Sequence, residues 1–198
     1  MRPLRRCGVQ DMDTEPFTFL EGDVVYCRSL TQEDAAAMSN WLNDDEVTRL
    51  LYQGLRPMSA AAVHDMWSRE ALDSNTISLA VCRKEDHQFV GTTGIYDLQW
   101  VMRSASFRVF IGDKRSWDRG IGTDCARLML RYGFDKLNLN RIWLGVNAAN
   151  ERAVRAYEKA GFVREGLLRQ EQFRNGCYYD VVRMGVLRDE YTPVHSRG

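Results

Sequence analysis

The sequence lacks the features of membrane-spanning, disulfide-rich and zinc-binding proteins. No apolar run approaches the ~20 residues that a membrane-spanning helix needs. The five cysteines are odd in number and lie too far apart for a Cys-x-x-Cys pair, so neither a disulfide framework nor a bound metal is expected. The N-terminus is basic, but no apolar segment of a secretory signal follows it. We therefore expect reduced thiols and a cytoplasmic location.

A net charge is also missing. The 27 basic residues balance the 27 acidic ones, which argues against nucleic acid or an anionic membrane as a partner. The length of 198 residues and the apolar fraction of 44% suit one globular domain, and no repeat or low-complexity linker divides the chain. We predict a flexible extension over 1–20, a single domain over 21–192 and a tail over 193–198.

Hydrophobic periodicity predicts how strands and helices alternate along the chain. The predicted strands cover residues 24–28, 77–82, 89–98, 104–111, 141–146, about 163–172 and about 178–187. The predicted helices begin near the caps Thr31, Asn43, Ser59, Gly120 and Asn150. This order predicts an α/β fold with a mixed, mostly antiparallel sheet of about seven strands and one crossover connection.

A glycine-rich segment stands where the strand over 104–111 hands over to a helix. It consists of Trp117, Asp118, Arg119, Gly120, Ile121, Gly122 and Thr123. Backbone N–H groups at such a helix start can bind an anion, although a tight turn is an equally good interpretation of these glycines alone. A Walker loop is excluded because Gly-Lys-Ser/Thr is missing. A dinucleotide fingerprint is disfavoured because Cys125 stands where its third glycine belongs.

A second segment, 147–162, predicts an amphipathic helix with Asn150 as its N-cap and Gly161 as its stop. Ala153 and Tyr157 share the inward face of this helix with Val154. A core tyrosine is the simpler interpretation of Tyr157. A buried phenol nevertheless needs a hydrogen-bond partner, and a site that protonates a leaving thiolate would provide one.

The two segments belong to a longer pattern, in the order strand, Trp-x-x-Gly-x-Gly, helix, strand and Asn-x-x-Ala-x-x-x-Tyr-x-Lys-x-Gly-Phe. This combination resembles the GNAT acetyltransferases. The similarity extends over about 24–191 and is closest to the branch of ribosomal-protein N-terminal, spermidine and amino-sugar acetyltransferases. It implies acetyl-CoA as the acetyl donor, helices on both faces of the sheet and a splayed pair of parallel strands at its centre. A homodimer is a further expectation from this resemblance.

The resemblance also assigns residues to the cofactor. It implies that the backbone of Val109, Phe110 and Ile111 binds the pantetheine arm and that the amides of 117–123 bind the pyrophosphate. It places Asn150, Ala153, Tyr157 and Lys159 beside the cofactor, with Tyr157 as the general acid. A phenol pKa of ~10 lies above the ~8.5 of a thiol, so the site must assist this proton transfer.

The resemblance leaves the general base open. An amine with a pKa of ~10.4 must lose a proton before it attacks the thioester. Relatives often carry glutamate where this chain has Ser106. The remaining candidates for the base are water relayed past Ser106 or Asp97, and Glu165 acting from across the site.

The acceptor amine is open as well, with a protein N-terminus, a polyamine and an amino sugar as candidates. The candidates to line the acceptor cleft are Trp41, Tyr52, Phe173 and Tyr178, although packing is the simpler interpretation of each. The acidic run 44–46 could attract a polyamine or simply start a helix. An acetyl-CoA-binding module without turnover is the alternative function, and a nucleotide-binding oxidoreductase is a weaker one.

Overall fold

Eight strands form one mixed sheet in the computed structural model, which describes residues 17–192. The strands are β1 Thr18–Glu21, β2 Val25–Arg28, β3 Ile77–Arg83, β4 Phe89–Gln99, β5 Ser104–Ile111, β6 Arg141–Asn147, β7 Val163–Arg174 and β8 Cys177–Leu187. The helices are α1 Asp34–Leu42, α2 Asp45–Thr48, α3 Ala60–Leu72, α4 Ile121–Arg131 and α5 Glu151–Ala160. Their spatial order is β1-β2-β3-β4-β5-β6-β8-β7. The predicted fold class is confirmed.

The strand β1 corrects one prediction. Residues 18–20 were assigned to a flexible extension, yet Thr18–Glu21 pairs antiparallel with β2. The strand is short and buries only Leu20, so its hydrophobic pattern is too weak to predict it. The rest of the predicted extension, residues 1–16, and the predicted tail, 193–198, lie outside the described residues.

The start of α1 corrects another. Thr31 was expected to cap this helix, but α1 begins at Asp34 without a side-chain cap. The Asp34 carboxylate instead accepts a hydrogen bond from the Thr31 amide at 2.9 Å and pairs with Arg28 through two bonds of 2.7 and 2.8 Å. The other two early caps are Asp44, one residue after the predicted Asn43, and Ser59, as predicted.

Both faces of the sheet carry helices, and β5 shows how the two cores share one strand. Phe107 packs into the cluster that contains residues of α4 and α5, whereas Phe110 packs with α1 and α3 on the opposite face. Side chains of a strand alternate between the two faces, so a strand buried on both sides reads as nearly continuous apolar sequence.

The central strands β5 and β6 separate partway along their length. They pair in parallel only from Ser104 opposite Arg141 to Ser106 opposite Trp143. Beyond this point β5 continues to Ile111 and β6 to Asn147 without a ladder between them, while β8 pairs with the whole of β6. The splayed parallel pair is therefore confirmed, and it leaves one backbone edge of β5 free.

Candidate active site

A cavity of about 600 Å³ opens where β5 and β6 separate. Its walls come from α2 and the segment after it, the end of β5, the turn into α4 and the first turns of α5. All residues that the resemblance assigned to the cofactor line this cavity, with the exception of Arg119. The Arg119 side chain points elsewhere and bonds Glu85 at 3.2 Å.

The first turn of α4 presents free backbone amides to this cavity. Gly120 precedes the helix with φ +78° and offers no side-chain cap, so the N–H groups of Ile121, Gly122 and Thr123 have no intrahelical acceptor. A Cβ on Gly120 would meet nothing within 4 Å, and one on Gly122 would meet only the Ala156 Cβ at 4.0 Å. The turn is therefore an open cradle that suits a phosphate group.

Trp117 anchors the turn to the sheet. Its indole N–H donates to the carbonyl oxygen of Ile111 at 2.9 Å, so this carbonyl is already engaged. The Arg152 guanidinium lies 4.5 Å from the centre of the indole ring and 3.6 Å from the Asp118 carboxylate. The tryptophan thus fixes both the end of β5 and a cation of α5 at the cavity.

Basic side chains surround the cradle. Arg49, Arg152, Arg155 and Lys159 all line the cavity. Arg152 and Arg155 pair with Asp118 and Glu151, whereas Arg49 and Lys159 have no carboxylate within 4 Å in the described part of the chain. The local charge therefore favours an anionic ligand, although the whole chain is neutral.

Asn150 caps α5 and lines the cavity at the same time. Its side-chain oxygen accepts a hydrogen bond from the Ala153 amide at 3.2 Å, and Gly161 ends the helix with φ +108°. Both helix boundaries are confirmed. The side-chain amide of Asn150 donates to no described residue, which leaves it available to a ligand.

Tyr157 lies between two aromatic rings at the cavity wall. Its ring is 5.9 Å from that of Phe107 and 6.0 Å from that of Phe162. Burial, and then the nearby Cys125 thiol, raise the Tyr157 pKa above its ordinary value. Its hydroxyl group makes no hydrogen bond to any residue in 17–192. The phenol is therefore protonated at neutral pH and free to donate into the cavity.

The structure separates the candidate bases. Ser106 is 3% exposed, and its hydroxyl group donates to Asp97 at 2.7 Å. Glu165 makes a bidentate ion pair with Arg141, which lowers the pKa of the carboxylate and engages both of its oxygens. Of the two candidate acids, Asp97 is the one that is hydrogen-bonded to Ser106, the last residue of β5 that pairs with β6.

The acidic run 44–46 proves to be a capped helix start. Asp44 accepts hydrogen bonds from the amides of Glu46 and Val47. Lys114 binds the Asp44 and Glu46 carboxylates at 2.8 and 2.6 Å. Asp45 lies 3.6 Å from the Arg174 guanidinium, so each of the three acids already has a basic partner within the chain, which disfavours a role in attracting a polyamine.

The expected cleft-lining aromatics divide into two groups. Trp41 packs against Phe89 and Phe110 with ring centres 5.3 and 6.4 Å apart, so it belongs to the core. Tyr52, Phe173 and Tyr178 are at least half exposed. None of the four lines the 600 Å³ cavity.

Sequence reasoning missed part of the cavity wall. Val47, Leu50 and Leu51 line it from α2 and the segment that follows. No motif marks them, because their position depends on the distant strand β7: the Gln172 side-chain amide donates to the Leu51 carbonyl at 2.8 Å. Arg152 was also missed, although it falls within the second segment of the resemblance.

A second cavity of about 370 Å³ lies between the segment 29–32 that precedes α1, the helix α3 and the start of β3. His64 and Glu70 contribute to its wall, but it contains none of the predicted cofactor residues. In residues 17–192, no three His, Cys, Asp or Glu side chains cluster as metal ligands would. None of the helices within that range is both long and apolar enough to cross a membrane.

Known proteins share this architecture. The acetyltransferase (GNAT) domain family matches residues 25–163. The uncharacterized N-acetyltransferase YoaA of Bacillus subtilis (strain 168) is 33% identical over 168 residues, 83% of this chain and 93% of that protein. The spermidine N(1)-acetyltransferase of Escherichia coli (strain K12) is 30% identical over 173 residues, 87% of this chain and 90% of that enzyme.

A solved structure agrees with these relatives. Spermidine N-acetyltransferase from Vibrio cholerae, in complex with CoA and spermine, superposes with a TM-score of 0.76 at 28% identity, covering 84% of this chain and 96% of that one. The relatives are named as enzymes, which supports turnover and not a silent binding module. The chain therefore belongs to the GNAT acetyltransferase family and transfers an acetyl group from acetyl-CoA to an amine.

Proposed function

We propose that the 600 Å³ cavity binds acetyl-CoA, with the pyrophosphate on the first turn of α4 and the pantetheine arm along the end of β5. The observation that carries this proposal is the uncapped start of α4, whose amides open into a cavity continuous with the gap between β5 and β6. When bound, acetyl-CoA supplies a thioester that an amine can attack. The CoA complex of the Vibrio cholerae enzyme supports this ligand.

Different residues around the cavity have different roles in binding and in the reaction. The α4 amides hold the phosphates, and the side chains of Arg49 and Lys159 at the rim add positive charge. The free edge of β5 beyond Ser106 offers unpaired backbone groups to the arm and the acetyl carbonyl, an arrangement that can stabilise a developing oxyanion. Tyr157 holds the proton that the leaving thiolate takes up.

The acceptor in this proposal is a small primary amine, with spermidine as the first candidate. The spermidine acetyltransferases among its relatives support this class. The neutralised acidic run 44–46 gives spermidine no additional support, so a free peptide N-terminus and an amino sugar remain the alternatives.

CoA release, followed with a thiol-reactive dye, tests the proposal across a panel of amines. The panel contains spermidine, an alanyl peptide with a free N-terminus, glucosamine 6-phosphate and an aminoglycoside, each with acetyl-CoA and purified full-length chain. We expect release with one class well above the rate without acceptor. A rate equal to that background with every amine would contradict the proposal.

A cytoplasmic location and a homodimer also remain proposals. Four cysteines of the described region, Cys27, Cys82, Cys125 and Cys177, are free thiols, which supports a reducing compartment. The fifth, Cys7, lies outside the described residues. Light scattering coupled to gel filtration would measure the mass in solution, and a mass of one chain would contradict the dimer.

A further inference from the structure

A carboxylate on β4 lies beside the point where β5 and β6 separate. Asp97 sits in a bulge of β4 between Tyr96 and Gln99, with φ +52°. Such bulges redirect a side chain. Here the Asp97 Oδ2 atom accepts a hydrogen bond from the Ser106 Oγ atom at 2.7 Å. Ser106 is the last residue of β5 that pairs with β6, so Asp97 is one hydrogen bond away from the start of the gap.

The Ser106 hydroxyl group orients this carboxylate and is not itself the proton acceptor. Its two hydrogen-bond neighbours are the Asp97 carboxylate and the Tyr96 carbonyl oxygen at 3.2 Å, both of which can only accept. The hydroxyl is therefore the donor. Ser106 is 3% exposed, whereas 54% of the Asp97 side chain is exposed, so an incoming amine can reach Asp97.

An arginine on β5 also holds the Asp97 carboxylate. The Arg108 Nη2 atom lies 2.8 Å from the same Asp97 Oδ2 atom, and its guanidinium stacks 4.5 Å above the Tyr96 ring. The Tyr96 hydroxyl group is 3.0 Å from Ser78 Oγ, which donates to Glu70 at 2.5 Å. The bonds from Ser106 and Arg108 converge on the Oδ2 atom of Asp97, and its Oδ1 atom receives no hydrogen bond from the described residues.

Few other charges face this position. The titratable groups in the hydrogen-bond and stacking network around Asp97 are Arg108 on β5, Tyr96 on β4 and Glu70 on α3. In the neighbouring strands of the same face, Arg183 stacks 4.3 Å above Trp143, the residue paired with Ser106. Arg141 engages both carboxylate oxygens of Glu165, whereas the pair with Arg108 engages only one oxygen of Asp97.

We infer that Asp97 is the general base of the acetyl transfer and that Ser106 and Arg108 are its positioning residues, an inference that rests on the proposed function. The acceptor ammonium gives one proton to Asp97 Oδ1, directly or through one water molecule. The amine nitrogen then bonds the acetyl carbon as the C–S bond breaks. Tyr157 protonates the thiolate and recovers a proton from the acylated nitrogen, and Asp97 releases its proton to solvent.

The test replaces Asp97 by asparagine, which keeps the shape and tolerates a positive φ. With the panel acceptor of highest rate, Asp97→Asn should lower kcat at pH 7 about 100-fold. The defect should shrink as the pH approaches the pKa of the amine, because the neutral amine then forms without a base. Asp135→Asn, an exposed aspartate outside the site, is the matched control and should leave kcat and its pH profile unchanged.

Two further measurements distinguish a base from a structural residue. Ser106→Ala should lower kcat in the wild-type background but not in the Asp97→Asn background, since it acts through that carboxylate. By calorimetry, Asp97→Asn should weaken acceptor binding to the enzyme–CoA complex about tenfold, through loss of a charge-assisted contact, while acetyl-CoA affinity stays constant.

The results that would contradict the role of Asp97 differ from those that would contradict the proposed function. A wild-type rate and pH profile in Asp97→Asn, with the wild-type enzyme active on the same acceptor, would overturn the role of Asp97 and leave the proposed function standing. No turnover by the wild-type enzyme with any acceptor would contradict both.

Discussion

The environment of Tyr157 keeps the proton on the phenol that we propose as the acid of this reaction. Packing against Phe107 and Phe162 buries the ring, and burial raises its pKa because the phenolate would lose hydration. The hydroxyl group faces the cavity and has no hydrogen-bond partner among residues 17–192. The raised pKa also makes the phenol a weaker acid, so the transfer requires the thiolate to form within hydrogen-bond reach of the hydroxyl group.

Tyr157→Phe should lower kcat about 100-fold and leave acetyl-CoA affinity within about twofold, because it removes one proton donor but little contact area. CoA release and calorimetry measure the two quantities. Tyr191→Phe, which packs on Phe134 away from the cavity, is the control. In the wild-type enzyme, the raised pKa keeps Tyr157 protonated, so kcat should show no loss from its ionisation up to about pH 10. Full activity of Tyr157→Phe would remove this residue from the mechanism.

At the scale of single elements, the start of α4 combines three local features. A glycine with φ +78° turns the chain, no side chain caps the helix, and Trp117 fixes the turn to the end of β5. Each feature on its own is common in proteins. Together they keep backbone donors uncapped beside a cavity, an arrangement that stabilises a bound anion.

Gly122→Glu should weaken acetyl-CoA binding about tenfold or more, because its carboxylate would stand beside the expected pyrophosphate. A Cβ here meets only Ala156 at 4.0 Å, so we expect the fold to persist. Gly122→Gln adds similar bulk without the charge and is the matched control. Equal calorimetric affinities of Gly122→Glu and wild type would place the phosphate site elsewhere.

The hairpin of β7 and β8 holds the cavity wall that follows α2. Arg174 is 4% exposed and donates to the Thr48 hydroxyl at 2.8 Å and to the Gln53 carbonyl at 2.9 Å. Gln172 bridges the Asn147 side chain at the end of β6 and the Leu51 carbonyl, each at 2.8 Å. The segment that carries Leu51 is therefore positioned from the far end of the chain.

Arg174→Met should lower the free energy of unfolding by about 2–3 kcal/mol, because the buried Thr48 hydroxyl oxygen and the Gln53 carbonyl oxygen lose their donor. It should also weaken acetyl-CoA binding through the loosened wall. Urea denaturation and calorimetry report the two effects. Arg164→Met, at an exposed position on the same strand, should change stability by no more than about 0.5 kcal/mol. A similar stability in both variants would contradict this role of the hairpin.

What the sequence could and could not predict follows from the range of the interactions. The caps Ser59 and Asn150, the stop at Gly161 and most strands depend on neighbouring residues, and they were predicted correctly. The bulge at Asp97 depends on partners more distant in sequence, and no local pattern marks it. The cavity wall at Leu51 depends on β7, more than a hundred residues away.

The start of α1 shows a further limit. Thr31 is a good capping residue by type, but the Arg28–Asp34 pair recruits its amide and its hydroxyl group to the Asp34 carboxylate. The two bonds from Arg28 hold the Asp34 carboxylate where it accepts from Thr31, and hydrophobic periodicity does not reveal such a pair.

For the whole molecule, the splay of β5 and β6 links the two faces of the sheet. The proposed cofactor cavity takes most of its wall from α4, α5 and the turn before α4, while Ser106 and Arg108 lie on the face of β5 toward α1 and α3. Donor and acceptor can thus approach the gap from opposite sides. Acetyl-CoA at 100 times its Kd should stabilise the fold by about 2.7 kcal/mol.

Hydrogen–deuterium exchange with and without acetyl-CoA tests most directly where the donor binds. Slower exchange is expected for the amides of 107–123 and 147–159, with a smaller effect over 46–51, because these segments form the 600 Å³ cavity. Protection confined to 29–32 and 64–79, around the second cavity, would contradict the account.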